Sequence, residues 1–111
     1  MTNLKKIKIY KLCSPTDDKY VYYGSTSKKT LNLRLAGHKD KWNQYRNNNK
    51  GNYCSAYILF DNYKDVVIEL IEEFLCENTI ERYDKESYYI TNNKCVNINI
   101  MQYTVKKIKK K

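Results

Sequence analysis

The sequence predicts an α+β domain, a small three-stranded antiparallel sheet flanked by helices in the order ββα(α)βα. Three observations carry this. Two β-rich segments near the start are joined by a turn, a helical stripe occupies the middle, and a Val/Ile-rich strand leads into a capped helix. With 111 residues and no internal repeat, the chain has the size of one domain. We place that domain at 1–104, followed by a basic tail at 105–111.

KIKIYKLC, residues 6–13, alternates and is rich in β-formers, so it reads as the first strand. SPTDDK follows with turn chemistry: Pro15 fixes φ, and Asp17 and Asp18 can bond local backbone amides. YVYYGS, residues 20–25, is the return strand of a hairpin. Gly24 ends it, where a residue without Cβ can turn sharply or admit another group. Over 28–47 the period changes: Leu31, Leu35, His38, Trp42 and Tyr45 recur at spacings of four and three, the stripe of an amphipathic helix. NNNKG stops it, and a shorter helix over 54–60 follows. VVIELIEEF, residues 66–74, is the third strand. Asn78 then caps a last helix with Glu81 reaching back as in a capping box. Ile80, Tyr83, Ser87 and Ile90 mark its buried side, and it ends near TNNK. CVNINI, residues 95–100, is an extended piece that packs back on the sheet.

Tyrosine dominates the aromatic content, with 12 residues against 2 Phe and 1 Trp. The core therefore uses side chains that pack as hydrophobes while keeping a polar tip. A formal charge of +9 points to a polyanionic partner, nucleic acid first, although charge alone suits a ribosomal or membrane-surface protein equally well. Five of the lysines stand in VKKIKKK at the end of the chain, where they add attraction to a phosphate backbone without reading sequence. Cys13, Cys54, Cys76 and Cys95 are far apart, form no C-x-x-C pair and have one His between them, which excludes a zinc set. Lys5, Lys6 and Lys8 interrupt any secretory signal, so we read four reduced thiols in an intracellular protein. No apolar run approaches the roughly 20 residues that cross a bilayer. The richness in Asn, Lys, Ile and Tyr fits an AT-rich genome such as that of a virus or an intracellular parasite.

Several side chains can share a site. Tyr10 and Tyr22 lie on one face of the hairpin if they sit opposite each other, and on opposite faces if the register shifts by one. Arg34 and His38 are four apart and share a helix face. Glu86 lies beside the buried stripe of the last helix. Cleaving a phosphodiester needs help in deprotonating the attacking water, positive charge on the non-bridging oxygens and a cation at the leaving oxygen. An Arg fork suits the phosphate. A lone carboxylate suits Mg²⁺, which keeps most of its waters. A tyrosine near a metal-bound water can relay a proton, provided its pKa of about 10 is lowered. Taken singly, the strand tyrosines read as packing, Arg34 as a solvated charge and Glu86 as one of 12 acids. His38 on its apolar stripe reads equally as packed or functional.

In order and rough spacing, IY at 9–10, YYG at 22–24, RLAGH at 34–38, ESYYI at 86–90 and Asn97 resemble a GIY-YIG nuclease domain. The resemblance covers about residues 6–100 and rests on the ordered set, since each short piece is common. It implies a three-stranded antiparallel sheet with helices around it. It also implies that Tyr10 acts as, or assists, the general base, Tyr22 holds water and phosphate, and Arg34 stabilises the phosphorane charge. Glu86 would hold a single Mg²⁺ or Mn²⁺, His38 matches a polar position in some members, and Asn97 supports the scissile strand or the tyrosines. Three departures stand out. Lys8 replaces the glycine of the first motif and adds a cation near the substrate path. Tyr23 replaces an aliphatic residue of the second. Tyr53 stands roughly where some members carry a catalytic His and is a candidate neighbour of the substrate, as is Gly24, where DNA would come close.

The function expected is therefore a metal-dependent DNA endonuclease built as a bare catalytic module, acting on DNA rather than RNA. Specificity would come from structure, from a homodimer or from a partner protein. The competing expectation is a nucleic-acid-binding module that keeps the fold without the chemistry.

Overall fold

Two strands of ten residues, β1 (Lys5–Ser14) and β2 (Asp17–Thr26), form an antiparallel hairpin through a turn at Pro15 and Thr16. The structure, a computed structural model, describes residues 4–97; the tail at 105–111, the proposed end of the domain at 104 and the last three residues of CVNINI lie outside that range. Helix α1 (Leu31–Asn48) and the short α2 (Tyr57–Asn62) follow, then β3 (Val67–Cys76) and α3 (Thr79–Asn92). The sheet order is β2-β1-β3, with both pairings antiparallel, so the fold is α+β.

Alternation along the strands gives the sheet two apolar faces. Tyr10, Leu12 and Tyr22 point to one side, where they meet α1 and α2 with Leu59, Phe60 and Val66. The opposite side carries Ile7, Ile9, Tyr23 and Ser25 and is covered by α3, where the Tyr23 ring stacks on Tyr89 at 6.2 Å and 16°. The α1 stripe meets the first face as its spacing predicts, with His38 buried and Leu31, Leu35 and Trp42 half-buried against the core. Asp61 ties α2 to α1 by accepting from Trp42 Nε1 at 2.8 Å and Arg46 Nε at 2.9 Å.

Several boundaries differ from the sequence expectation. The hairpin turn is only two residues, so Asp17 and Asp18 belong to β2. β2 continues to Thr26, and Gly24 lies inside it. Helix α1 begins at Leu31 because Thr30 caps it, its hydroxyl accepting from the Leu33 amide at 3.3 Å. At the other end Asn49 adopts the left-handed conformation, φ 53°. Asn78 does cap α3, accepting from Glu81 N at 2.9 Å, while the Glu81 carboxylate reaches the amide of Glu77, one residue before the cap.

Ile80 is a further correction. It is 54% exposed, because the inward face of α3 runs through Arg82, Glu86 and Ile90, successive turns of one helix side. The start of CVNINI does pack on the sheet. The Val96 amide bonds the Val21 carbonyl at 2.8 Å, and Asn97 follows along the free edge of β2.

Candidate functional site

The register answers the question posed by the tyrosine-rich hairpin. Tyr10 pairs with Gly24, and Tyr22 pairs with Leu12. The two phenols are therefore not directly opposed, yet they share a face as diagonal neighbours. Gly24 has a specific reason to lack a side chain. A Cβ there would lie 2.5 Å from Tyr10 Oη and 2.7 Å from its Cζ. The glycine makes room for the Tyr10 ring rather than opening the strand: its vacant side is occupied by that ring, and Gly24 itself is buried.

Around Tyr10 the predicted residues converge. Its side chain is fully buried, and its hydroxyl accepts from Arg34 Nε at 3.1 Å while lying 2.8 Å from His38 Nε2. Burial, assisted by the charges of Arg34 and Lys41, holds His38 down to about 3, so the imidazole is neutral at ordinary pH. The consistent arrangement is then Arg34 donating to the phenol and the phenol donating to His38. Tyr22 presents its ring to His38 at 5.7 Å and 78°. His38 is thus both packed and hydrogen-bonded.

Glu86 enters from the other side. Helix α3 lies on the opposite face of the sheet, and the Glu86 carboxylate accepts from the Ser25 hydroxyl, next to Gly24. Arg82 completes this group, its Nε donating to Ser25 Oγ at 2.6 Å and its Nη2 to the Ser25 carbonyl at 2.9 Å. Burial raises the Glu86 pKa, against the opposing effects of the Ser25 hydrogen bond and the charges of Arg82 and Arg34. The carboxyl is near enough for its charge to act on both Tyr10 and Tyr22. Strand β2 separates it from the phenol cluster, however, so the four-residue set forms two groups back to back.

The sequence expectation required a lowered tyrosine pKa. The site does the reverse. Burial pushes Tyr10 up despite Arg34, and it pushes Tyr22 well above its ordinary value, with Cys54, Tyr10 and Glu86 adding to the effect. Both phenols keep their protons at neutral pH.

A cleft of about 460 Å³ opens beside the cluster, lined by Arg34, His38, Lys41, Lys50, Tyr53 and Cys54 among others. Tyr53 therefore does neighbour the site, and it is exposed. Lys8 pairs with Thr26 across the hairpin, and its ammonium lies 3.5 Å from Glu73 and donates to the Lys28 carbonyl at 3.3 Å. Asn97 clamps the backbone of Tyr23, accepting its N–H at 2.9 Å and donating to its carbonyl at 2.6 Å.

Sequence reasoning missed Ser25 and Arg82. Arg82 precedes Glu86 by four and so shares its helix face, a signal that was present. Its partner on β2 could be found only from the packing of α3. Among the described residues, no group of three or more His, Cys, Asp or Glu side chains is placed to hold an ion. No helix among them is long and apolar enough to cross a membrane. No protein-family model matches the chain, and neither does any curated protein or solved structure.

Proposed function

We propose that this chain is a metal-dependent DNA endonuclease module of the GIY-YIG kind that cleaves phosphodiesters by in-line attack of water. The observation that carries this reading is the bonded set of Arg34, Tyr10 and His38 beside a cleft with Lys41 and Lys50 on its wall. Arg34 and the lysines attract a phosphate to the cleft, with Arg34 between it and the buried Tyr10 hydroxyl. A phosphodiester anion there offsets the Arg34 and Lys41 charges that help keep His38 neutral, so its Nε2 becomes a better acceptor. When the Arg34 guanidinium turns to the phosphate, a water can take its place at the buried Tyr10 hydroxyl and give it a proton as Tyr10 passes its own to His38, so the phenolate of a tyrosine whose pKa is raised need never accumulate.

Glu86 is the residue that would hold a cation. One of its oxygens accepts from Ser25, and a lone carboxylate fits an ion that keeps its waters, Mg²⁺ or Mn²⁺, rather than one caged by protein. When bound, such an ion supplies positive charge at the leaving oxygen. Substrate choice would come from DNA structure, a homodimer or a partner protein. We place the protein inside the cell, in keeping with its free cysteines.

The test is incubation with plasmid and branched DNA in Mg²⁺, Mn²⁺ or EDTA. Cleavage is expected only with metal, and Tyr10→Phe and Glu86→Ala should each lower the rate by about 100-fold or more. Cleavage that survives Glu86→Ala would sink the metal assignment. One observation favours the competing reading of a binding module without chemistry: Glu86 lies across β2 from the phenols. That reading predicts salt-sensitive DNA binding with no turnover under any metal.

A further inference from the structure

We propose that the cleft beside Arg34 and His38 takes an unpaired nucleobase, so that the preferred substrate is DNA that is single-stranded next to the cut. The inference rests on the nuclease reading only in placing the scissile phosphate at Arg34.

It starts from Tyr53. This side chain is 47% exposed, yet its ring is held in place, edge-on to Tyr45 at 5.9 Å and 64° and to Tyr57 at 5.7 Å and 84°. Tyr45 and Tyr57 pack on each other at 5.3 Å, and Tyr57 is buried. An aromatic side chain braced by two other rings and left half exposed at a basic cleft is a stacking platform.

The loop that carries it is built to reach the cleft. Asn49 and Gly51 adopt positive φ, 53° and 84°, and fold the chain so that Lys50, Asn52 and Tyr53 all line the same cavity as Arg34. The positive φ of Gly51 is one that other side chains rarely adopt. Gln44 also lines the cavity and is oriented by donating one N–H to Asp40 at 3.0 Å. Two side-chain amides, Gln44 and Asn52, thus bring donors and acceptors to the cavity, which is what the edge of a base requires and a phosphate does not. The volume of about 460 Å³ falls within the range of small-ligand sites, about 300–1,000 Å³. A paired duplex can satisfy the lysines with its phosphates. Its stacked bases offer no face to Tyr53, which only a base out of the stack can cover.

The test is equilibrium binding in EDTA, where no cleavage occurs. Fluorescence anisotropy compares a labelled DNA single strand of about 20 nucleotides with a blunt duplex of equal length, against wild type, Tyr53→Phe, Tyr53→Leu and Tyr53→Ala. The single strand is expected to bind about tenfold tighter than the duplex. Tyr53→Ala and Tyr53→Leu should each weaken single-strand binding by about tenfold, leave duplex binding unchanged, and leave the salt slope unchanged because no phosphate contact is lost. Tyr53→Phe should retain wild-type affinity. The leucine variant keeps apolar contact with Tyr45 and Tyr57, so its loss would report the missing ring rather than a collapsed loop.

Equal binding of both DNAs, or an alanine variant that binds the single strand like wild type, overturns the proposal. An RNA strand bound as tightly as DNA overturns its assignment to DNA. Expected binding without any cleavage defeats the nuclease reading alone. Glu86-dependent cleavage that is indifferent to Tyr53→Ala defeats this one alone.

Discussion

His38 shows how one buried side chain can set both the chemistry and the pH response of this fold. Its imidazole lies 4% exposed between Tyr10, Tyr22 and Phe60, with its folded pKa near 3 against an ordinary 6.5. The folded state therefore refuses a proton that the unfolded state accepts below about 6.5. Stability is full above 6.5, falls as pH drops toward 3, and changes no further below that from this residue. Glu86 has the opposite sign: its folded pKa is raised, so its contribution is present below about 4.5 and lost as pH rises through the folded value. We expect the His38 effect to be about 2 kcal/mol between pH 7 and pH 5, an order-of-magnitude figure from about 1.4 kcal/mol per pH unit inside the window. Urea unfolding of wild type and His38→Gln at the two pH values checks this. The difference between their pH responses isolates the imidazole, since Glu86 is common to both. Equal responses would show that His38 binds its proton alike in the folded and unfolded protein. The pairing of Arg34 with His38 was legible from their spacing. The partner that fixes them, Tyr10 over Gly24, depends on a hairpin register that alternation alone leaves open.

At the level of elements, the order of strands and helices followed from period and caps, while the edges of the sheet did not. Thr30 and Asn78 carry the cap chemistry that fixes two helix starts, and Asn78 was readable in advance because an acid follows it by three. The irregularity in β3, where Ile9 pairs with Glu72 and Tyr10 with Leu70, has no comparable local mark. It leaves Ile71 as an extra residue opposite Tyr10's end of β1, and it depends on two strands separated by more than fifty residues. Nor could the sequence say that Asn97 would substitute for a neighbouring strand at Tyr23. This clamp holds the free edge of β2, which carries Tyr22, Gly24 and Ser25 between the two halves of the site. Asn97→Ala leaves the buried amide and carbonyl of Tyr23 without these partners, and we expect a loss of about 1–3 kcal/mol. Hydrogen exchange should locate the effect: the Tyr23 amide exchanges faster in the variant, while amides pairing β1 with β3 keep their protection. Uniform acceleration across the sheet would mean that the clamp supports the whole fold rather than this edge.

At the scale of the whole molecule, basic residues exceed acidic ones by nine, and three acids of β3 face lysines. On β3, Glu69 lies 3.6 Å from Lys11 and Glu73 lies 3.5 Å from Lys8, while Glu72 is 3.4 Å from Lys85 of α3. Exposed pairs of this kind contribute little to stability, about 0–1 kcal/mol each. Their larger consequence is that the acidic strand presents a reduced field to an approaching phosphate chain, while Arg34, Lys41 and Lys50 stay on the cleft. The lysines of VKKIKKK add a charge of five to a total of +9, so ending the chain at Thr104 leaves a formal charge of +4. If those lysines act only on phosphates, the truncation weakens binding by the same factor for every DNA sequence. The slope of log affinity against log salt should fall by about 0.9 for each lysine that contacts a duplex phosphate. The melting temperature and the tenfold preference for single strands should stay as in the full chain, because the core and the cleft they depend on are formed by residues within 4–97. Titrations between about 50 and 200 mM salt on two unrelated duplexes and one single strand check this. A truncation that loses affinity on one duplex sequence and keeps it on the other would show that the tail reads bases, and the division between a site that cuts and a tail that only attracts would have to be abandoned.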